Sequence, residues 1–374
     1  MKIRAAVLYE MNLPSPYKDS RPLRIETLDL DPPKVGEVLI RIRAAGLCHS
    51  DLSVINGSRP RPMPMALGHE AAGEVVEVGP GVTDLRPGDH VVCAFVPSCG
   101  HCLPCQEGRP ALCEPGGAAN SAGTLLSGER RLHKDGMDIH HHLGISGFAE
   151  YAVVTRNSLI KVDPEVPFDE VAVFGCAVMT GVGAVVNTAR VPVGSSVAVV
   201  GLGGVGLSAV LGALVAGARR IIAVDVNPAK LQMALELGAT DAFDARDPEV
   251  VQLIRAATDG GVEFAFETAG AVPAMQTAFA ITRRGGTTVT AGLPHPEHHF
   301  SFPHVLLTAE ERTIKGSYVG SCVPARDIPR LIELYKQGRL PVNRLLTDRL
   351  RLEDINEGFD RLNRGEVSRL VVMM

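Results

Sequence analysis

The sequence predicts an α/β protein with two domains: a doubly wound, parallel-sheet domain, and a second domain that is mostly antiparallel and rich in β-structure. From Ser195 onward, short apolar runs alternate with helical patterns, which is typical of a parallel sheet with crossover helices. Upstream, residues 2–151 are richer in Gly, Pro and short β-like runs. A chain of 374 residues, 45% hydrophobic and 21% charged, is long enough to bury two cores.

The domain boundaries follow from these patterns. The antiparallel domain is assigned residues 1–177 and the parallel-sheet domain residues 178–320. Two later helical windows, 328–337 and 352–363, precede a last strand, so the tail 321–374 is predicted to return to the first domain. In the parallel-sheet domain we predict strands at 196–200, 220–226, 241–244, 263–267, 287–291 and 313–319, and helices at 205–216, 228–237, 248–257 and 272–282.

The distribution of charge excludes several classes of protein. A net charge of −5 without any run of Lys or Arg argues against a nucleic-acid groove. The first apolar run meets charge at Glu10 before a signal-peptide core could form, so we expect a cytoplasmic, reducing location. Two stretches without charge, 171–189 and 191–218, are interrupted by glycines at turn spacing, which indicates buried strands and helices rather than a membrane span.

Four cysteines in the pattern C-x2-C-x2-C-x7-C lie in one short loop. This spacing lets four thiolates close a tetrahedral shell around one zinc ion. The neighbouring residues are turn formers, so the loop has little reason to hold its shape without the metal. Because such a shell leaves no open position, the predicted role is structural; the alternative, disulfide-linked hairpins, is disfavoured in a reducing compartment. The four predicted ligands are Cys99, Cys102, Cys105 and Cys113.

A glycine-rich run, G-x-G-x-x-G, follows the first predicted strand of the parallel-sheet domain and opens a helix. In that context the glycines form a tight turn and let the backbone approach a pyrophosphate at the helix N-terminus; a glycine-rich turn without a ligand is the alternative. The next strand ends in an acidic residue about 20 positions further on, which would bind the adenosine ribose and repel a 2′-phosphate, favouring NAD over NADP. The predicted cofactor residues are Gly201, Gly203, Gly204, Val205, Gly206 and Asp225.

Three further metal-type residues, Cys48, His69 and Cys176, are scattered along the chain. Their spacing does not show that they converge, and a cysteine flanked by apolar residues is more often a core residue than a ligand. They lie in Cys48-His-Ser-Asp, Gly68-His-Glu-Ala-Ala-Gly and Phe174-Gly-Cys. Together with the four-cysteine loop and the glycine run, these motifs resemble the zinc-dependent medium-chain alcohol dehydrogenases, in combination and in order, over essentially the whole chain.

The resemblance implies a Rossmann coenzyme domain, a GroES-like catalytic domain and two zinc ions per chain. The second zinc is a catalytic ion held by the three scattered residues, with a fourth position open for water or substrate. By the same resemblance, Ser50 takes the proton of the alcohol, Asp51 orients His69, and Glu70 lies behind the metal. A turn cap at Asp51 and a surface hydroxyl at Ser50 are the alternatives.

Other positions match the family more loosely. His49 and Arg369 resemble the basic residues that reach the pyrophosphate. Many relatives continue the proton relay to a histidine at the position of Ser53, and a serine does not act as a base near neutral pH. Cys93 and Cys322 are expected to be buried thiols.

A long insertion, 114–144, resembles a loop of the liver-type and glutathione-dependent formaldehyde dehydrogenase branch. Its three consecutive histidines, 140–142, are expected at the surface or lining the pocket, because adjacent residues cannot all face one metal ion. The cleft residues implied by position would form a largely apolar pocket, which suits a hydrophobic substrate. They are Phe95, His142, Leu143, Leu293 and Tyr318.

The predicted function is that of an NAD-dependent zinc alcohol dehydrogenase acting reversibly on primary or secondary, hydrophobic or aromatic alcohols. The alternative is a formaldehyde dehydrogenase dependent on glutathione or mycothiol, whose anionic adduct would need cations such as Arg59, Arg130 and Arg131 at the cleft mouth. A non-catalytic NADH-binding protein is disfavoured by the complete ligand set. We expect small-molecule partners, no nucleic acid or membrane, and a homodimer joined through the edge strand 313–319.

Overall fold

The computed structural model describes all 374 residues, which form two compact units. Each unit has its own sheets and core, as the two sequence patterns predict. The first unit comprises Met1–Cys176, Val323–Ile332 and Leu346–Met374, and the second comprises Ala177–Cys322 and Glu333–Leu345.

The tail differs in one respect from the predicted return of residues 321–374 to the first unit. Residues 333–345 belong to the second unit. Three aliphatic side chains of the stretch, Leu340, Val342 and Leu345, are fully buried. Burial of that apolar surface accounts for the assignment of this stretch.

Strands dominate the first 176 residues. The strands there are β1 (Lys2–Leu8), β2 (Leu23–Leu30), β3 (Glu37–Gly46), β4 (Met65–Ala66), β5 (Glu70–Val78), β6 (His90–Cys93), β7 (Leu132–Lys134), β8 (Met137–His141), β9 (Tyr151–Thr155) and β10 (Leu159–Lys161). The helices are short: α1 (Tyr17–Ser20), α2 (His49–Ile55), α3 (Leu103–Gln106), α4 (Glu114–Ala122) and α5 (Phe168–Ala172). Single 3-10 turns cover Pro110–Leu112, Arg156–Ser158 and Val173–Gly175.

Helices and strands alternate in the remainder of the chain. The helices are α6 (Ala177–Gly183), α7 (Gly204–Val215), α8 (Pro228–Glu236), α9 (Val250–Ala257), α10 (Val272–Ile281), α11 (Val305–Ala309), α12 (Pro324–Lys336) and α13 (Ile355–Asn363), and a π-helical turn, Ala184–Ala189, follows α6. The strands are β11 (Ser196–Val200), β12 (Arg220–Asp225), β13 (Asp241–Asp244), β14 (Val262–Glu267), β15 (Thr282–Thr290), β16 (Thr313–Gly316), β17 (Asp348–Arg351) and β18 (Leu370–Met373).

The first unit contains a closed barrel and an open sheet. Strands β1, β2, β7, β8 and β4 close the barrel, and the seven-stranded sheet has the order β10-β6-β5-β3-β18-β17 with β9 also paired to β3. Only the β4–β8 and β17–β18 pairs are parallel. The predicted mostly antiparallel, β-rich domain is confirmed.

Strand β3 is the centre of the seven-stranded sheet. It pairs with β5 on one edge, and β9 and β18 share the other edge. Eight of its ten residues are buried, as expected for a strand that is covered on both faces. Because the strand is held along its length, the chain that leaves it after Gly46 has a fixed position, and the candidate site begins there.

The second unit is built on a six-stranded sheet in the order β13-β12-β11-β14-β15-β16, in which every pair is parallel. The strand order reverses between β11 and β14, which is where sheets of this kind bind nucleotides. The predicted doubly wound domain is confirmed. Its edge strand β16 ends at Gly316, short of the predicted end at 319. Val319, Gly320 and Ser321 could not continue it, because their φ angles of 51°, 65° and 50° are ones that no strand adopts.

The insertion 114–144 is more ordered than a loop, because it contains α4, β7 and β8. An ion pair between Arg131 and Glu37, both at most 2% exposed, ties it to the start of β3. The guanidinium donates from Nε and Nη2 to the two carboxylate oxygens of Glu37, each at 2.8 Å. Fork-shaped pairing of this kind fixes both partners in direction and in position.

The α-helices range from four to 13 residues in length. None of them alone has the length and apolar composition to cross a membrane; the bent pair Phe168–Gly175 and Ala177–Ala189 meets both criteria only when taken together.

We predict that Arg131→Ala destabilises the first unit by about 3–5 kcal/mol, because it leaves the Glu37 carboxylate buried without its partner. The free energy and the temperature of unfolding, measured by calorimetry and by denaturant titration, test this. Lys2→Ala is the matched control, since Lys2 pairs with Asp29 at 2.7 Å on the exposed surface of the same unit. Equal effects of the two substitutions would contradict the prediction.

Candidate active site

Two cysteines and a histidine converge in the first unit beyond the end of β3. Cys48 lies between β3 and α2, His69 lies between β4 and β5, and Cys176 follows the turn Val173–Gly175. Their ligand atoms lie within 4.8 Å of one another, and none of the three residues is more than 7% exposed. The fold therefore brings together three residues whose sequence spacing alone does not show that they converge.

The His69 ring is oriented as a metal-binding imidazole. Its Nδ1 lies 3.1 Å from Oδ1 of Asp51, and its Nε2 is buried without a hydrogen-bond partner. A carboxylate at Nδ1 fixes the ring and leaves Nε2 as a lone-pair donor. An orphaned buried nitrogen costs about 1–3 kcal/mol unless another group takes it up. Two thiols and this nitrogen fit a zinc ion with one open position.

The electrostatics of the cluster favour a bound cation. Burial lowers the pKa of His69, but the Asp51 carboxylate outweighs burial and brings that pKa to about 10. The hydrogen bond with Cys176 holds the pKa of the Cys48 thiol well below its usual range, and the same bond, with burial, raises the pKa of Cys176. The enclosed negative groups thus favour positive charge at Nε2 of His69, which a divalent ion would supply.

A second buried ion pair lies behind the cluster. Arg369 donates from Nη1 to the carbonyl of Leu47 at 2.9 Å and from Nη2 to Oε1 of Glu70 at 3.2 Å. Both side chains are at most 4% exposed. Glu70 follows His69 directly along the chain, and its place behind a bound metal stays a prediction. The contact of Arg369 or His49 with a pyrophosphate stays a prediction; His49 is the exposed first residue of α2.

Helix α2 carries the predicted proton path. Oγ of Ser50 lies 3.8 Å from Sγ of Cys48, so the hydroxyl is beside the ligand cluster. The hydroxyl of Ser53 donates to the backbone carbonyl of His49 at 2.7 Å. The Ser53 hydroxyl is therefore already bonded to its own helix.

The consecutive histidines of the insertion have separate partners. The expectation of a surface or pocket position is wrong for His141, which is 1% exposed and whose Nε2 accepts the backbone N–H of Arg131 at 3.1 Å. Burial, with the nearby Arg131, lowers the pKa of His141 to about 3, so the ring stays neutral and accepts this bond. His142 follows β8 and is also buried, and its Nδ1 lies 3.0 Å from Oδ1 of Asp51. Sequence analysis misses this last contact, for which the residue pattern contains no signal.

The predicted pocket residues are distributed over both units. In the first unit the ring of Phe95 meets the ring of His69 edge-on, with centroids 4.8 Å apart, and Leu143 is 3% exposed. In the second unit Leu293 and Tyr318 are 48% and 37% exposed. Phe95 is thus in contact with the ligand cluster, and the assignment of one common cleft stays a prediction.

The four-cysteine loop forms a second candidate metal site in the first unit. Its four sulfurs lie within 4.8 Å of one another, and no two of them form a disulfide. Sγ of Cys102 and Sγ of Cys113 are 3.8 Å apart. That matches the edge of a sulfur tetrahedron around zinc, about 3.8 Å for Zn–S bonds of about 2.3 Å. Backbone N–H groups of Cys99 and Gly116 donate to the Cys113 sulfur at 3.2 and 3.3 Å, which stabilises a thiolate. The loop fits a closed, structural zinc.

The glycine run forms the turn between β11 and α7 in the second unit. A methyl group at Gly206 would lie 1.8 Å from the carbonyl oxygen of Gly201, whereas one at Gly203 would meet nothing within 4 Å. No side chain caps the helix at Gly203, so the first N–H groups of α7 are open to a ligand. The close packing on one side and the open space on the other fit a bound pyrophosphate.

Asp225 ends β12 beside this turn. Its Oδ2 accepts the N–H of Leu202 at 2.6 Å, and its Oδ1 accepts the N–H of Asn227 at 2.8 Å. These two bonds fix the carboxylate at the edge of the turn while the residue remains half-buried. The lone pairs that are left can accept ribose hydroxyls.

Comparison with known proteins gives two family matches. Residues 34–164 match the alcohol dehydrogenase GroES-like domain, and residues 204–337 match the zinc-binding dehydrogenase family. Among solved structures, the chain is 38% identical to an alcohol dehydrogenase zinc-binding domain protein from Burkholderia ambifaria (TM-score 0.94) and 33% identical to the benzyl alcohol dehydrogenase of Acinetobacter calcoaceticus (TM-score 0.93). Each of these two comparisons covers 100% of this chain and 99% of the other. The alcohol dehydrogenase TADH from Thermus sp. ATN1 is 27% identical, with a TM-score of 0.82 over 99% of both chains.

These similarities extend over the whole chain and include both units, as the resemblance of the motifs predicts. The predicted GroES-like and Rossmann domains are confirmed. The chain belongs to the zinc-binding medium-chain alcohol dehydrogenase family and is an oxidoreductase of the alcohol dehydrogenase type.

Proposed function

We propose that this chain is an NAD-dependent alcohol dehydrogenase with a catalytic and a structural zinc, which transfers hydride reversibly between a hydrophobic or aromatic alcohol and NAD. The observation that carries the proposal is the buried cluster of Cys48, His69 and Cys176, in which Nε2 of His69 lacks a partner. A cluster with three ligands and an open fourth position is the catalytic type of zinc site.

The residues of the first unit have different roles at this site. When bound, zinc supplies a Lewis acid that lowers the pKa of the alcohol hydroxyl, and NAD supplies the hydride acceptor. Asp51 keeps the His69 ring oriented through the 3.1 Å contact at Nδ1. Ser50 takes the proton of the alcohol at its Oγ and passes it towards the cofactor ribose. Because Ser53 donates to a backbone carbonyl, it does not extend this path, and the proton leaves to solvent.

Preference for NAD rests on Asp225 in the second unit. Its two carboxylate oxygens are fixed by backbone N–H groups on either side, so the charge cannot turn away from a ligand bound at the glycine turn. A 2′-phosphate at that position would be repelled by the carboxylate, whereas the ribose hydroxyls of NAD would donate to it.

An aromatic or hydrophobic alcohol, primary or secondary, is the proposed substrate. Phe95 packs edge-on against His69 and so places one apolar ring beside the ligand cluster, and a buried Leu143 in the same unit is a second candidate for the apolar lining. The small side chain of Ser50 leaves room for a ring. The 33% identity with a benzyl alcohol dehydrogenase supports the same substrate class.

Formaldehyde bound to glutathione or mycothiol is the less favoured substrate, because two of the three candidate cations already have partners within the protein. Arg131 is 1% exposed and its charge is paired with Glu37. Arg130 donates to Nδ1 of His140 at 3.1 Å, and its Nη1 lies 3.8 Å from the carboxylate of Asp138, which takes up part of its charge. An anionic thiol adduct would therefore lack most of the positive charge that it needs.

We also propose that the protein is a cytoplasmic homodimer. Strand β16 is an edge of the six-stranded sheet and pairs only with β15, so its outer N–H and C=O groups can pair with a second copy.

We predict two zinc ions per chain with different roles. Cys102→Ser should lower the unfolding temperature, because it opens a closed shell, whereas Cys176→Ser should remain folded and bind NADH but not oxidise alcohol. Metal analysis should give two zinc ions in the wild type and one in each variant. Cys93→Ala, at a buried thiol outside both clusters, is the control and should retain both. One zinc or none in freshly purified wild type would refute the assignment.

We predict that the wild type strongly prefers NAD to NADP and that Asp225→Gly narrows the preference. The variant loses the repulsion of the 2′-phosphate and the bonds to the ribose, so NAD itself binds more weakly. Asp225→Asn is the matched variant: it removes the charge but keeps an acceptor, and should retain more of the NAD affinity. Kinetic constants for both cofactors test this. Equal use of NADP by the wild type would show that Asp225 has another role.

We predict that alcohol oxidation becomes faster as pH rises into the alkaline range, since no base that titrates near neutrality follows Ser50. Ser50→Ala should reduce turnover about 10²- to 10⁴-fold by removing a positioned proton-transfer group. Ser53→His should raise activity near neutral pH relative to alkaline pH, and Ser53→Ala, the control, should leave the profile unchanged. The measurement is the pH dependence of kcat for all four proteins.

An unchanged profile in Ser53→His would contradict this account of the proton path. Solvent isotope effects on the wild type and on Ser53→His would then distinguish the two causes, a position 53 that does not face the ribose and a proton release that does not limit the rate.

A further inference from the structure

The two oxygens of the Asp51 carboxylate are used very unequally. Oδ1 accepts the N–H of Gly68 at 3.1 Å, and it lies 3.1 Å from Nδ1 of His69 and 3.0 Å from Nδ1 of His142. Oδ2 is buried and has no hydrogen-bond partner. Since one carboxylate oxygen offers about two lone-pair directions, three groups compete for Oδ1.

His142 is held against this oxygen by its surroundings. The residue is 2% exposed, and its ring meets the ring of His69 edge-on with centroids 5.5 Å apart. Phe95 contacts His69 in the same edge-on manner, at 4.8 Å. The Nδ1 of His142 is within hydrogen-bond distance of Oδ1 but out of line for a well-directed bond. This is the geometry of a competitor that is close but not fully bonded.

We propose that His142 is a positioning residue that acts on the catalytic metal through Asp51. By sharing Oδ1 with His69, it weakens the hold of the carboxylate on the His69 ring and lowers the electron density that the ring gives to a metal at Nε2. A carboxylate partner makes a metal-binding imidazole a stronger donor, so a shared carboxylate makes it a weaker one and the ion more Lewis-acidic. The inference rests on the proposed catalytic zinc.

A pocket-lining role alone makes a different prediction from this one. A ring without nitrogen at position 142 would fill the same volume but leave Oδ1 to Gly68 and His69. A side chain that carries an N–H at the place of Nδ1 would restore the competition without the ring. The two roles can therefore be separated by substitutions that remove the ring and the donor independently.

The experiment compares the full-length wild type with His142→Phe, which keeps a ring but no donor, and His142→Asn, which keeps a donor near the place of Nδ1 but no ring. Cobalt(II) placed selectively in the catalytic site reports on its ligands through its d–d absorption. We measure the positions of these bands and the rate at which a chelator removes the cobalt. Thermal unfolding of each variant shows whether the fold is retained.

We expect His142→Phe to shift the cobalt bands and to release cobalt several-fold more slowly, an effect smaller than the 10- to 100-fold change that follows loss of a direct partner of a ligand. His142→Asn should resemble the wild type in both measurements. Asp51→Asn weakens the contact with His69 itself. This variant should therefore release cobalt faster than the wild type, a change opposite in direction to that of His142→Phe.

Unchanged or faster release from His142→Phe, or equal changes in the Phe and Asn variants, would overturn the proposal and leave His142 a packing role. Should His142→Phe fail to fold, His142→Leu repeats the test without a donor. A wild type that takes up no cobalt with thiolate ligation at this site would instead reject the proposed catalytic zinc, and with it this inference.

Discussion

The first unit is organised around one constraint, the burial of a carboxylate, an imidazole and two thiols beside one another. Burying an isolated charge destabilises the folded state by far more free energy than one contact stabilises it, so each buried charge needs a partner. Asp51 is paired with His69, and Glu70 is paired with Arg369. The donor atoms that remain are those that a metal ion would take. Strand β3, held by three neighbouring strands, fixes the position of the chain that carries the first of them.

In the second unit, backbone groups and not buried charged side chains would make the main contacts with a ligand. At the glycine turn a side chain is excluded at Gly206, because its Cβ would lie 1.8 Å from the carbonyl oxygen of Gly201. At Gly203 the space is open. Asp225 is a charged group beside the turn, and two backbone N–H groups fix the direction of its carboxylate. The two units would therefore hold their ligands by different interactions. Thiolate and imidazole donors would surround a metal ion in the first unit, and backbone N–H groups would contact a phosphate in the second.

Local features could be predicted from the sequence, and long-range contacts could not. The four-cysteine loop and the glycine turn are complete within a few residues, so their spacing determines their geometry. The convergence of Cys48, His69 and Cys176 was available only through family resemblance, because spacing says nothing about distant segments. The contacts of Arg131 with Glu37 and of His142 with Asp51 depend on how the insertion pairs with the barrel, and no residue pattern encodes that register.

The geometry of the glycine turn has a consequence for how coenzyme preference could change over evolutionary time. Any side chain at Gly206 would collide with the backbone of Gly201, so that position offers no route to a new preference that keeps the ligand bound. The carboxylate at Asp225 lies at the end of a different strand and contacts the turn through a hydrogen bond from the N–H of Leu202. The close packing that would admit a pyrophosphate and the charge that would act on the ribose therefore lie on different residues, so a substitution at Asp225 could change coenzyme preference while the shape of the turn is kept.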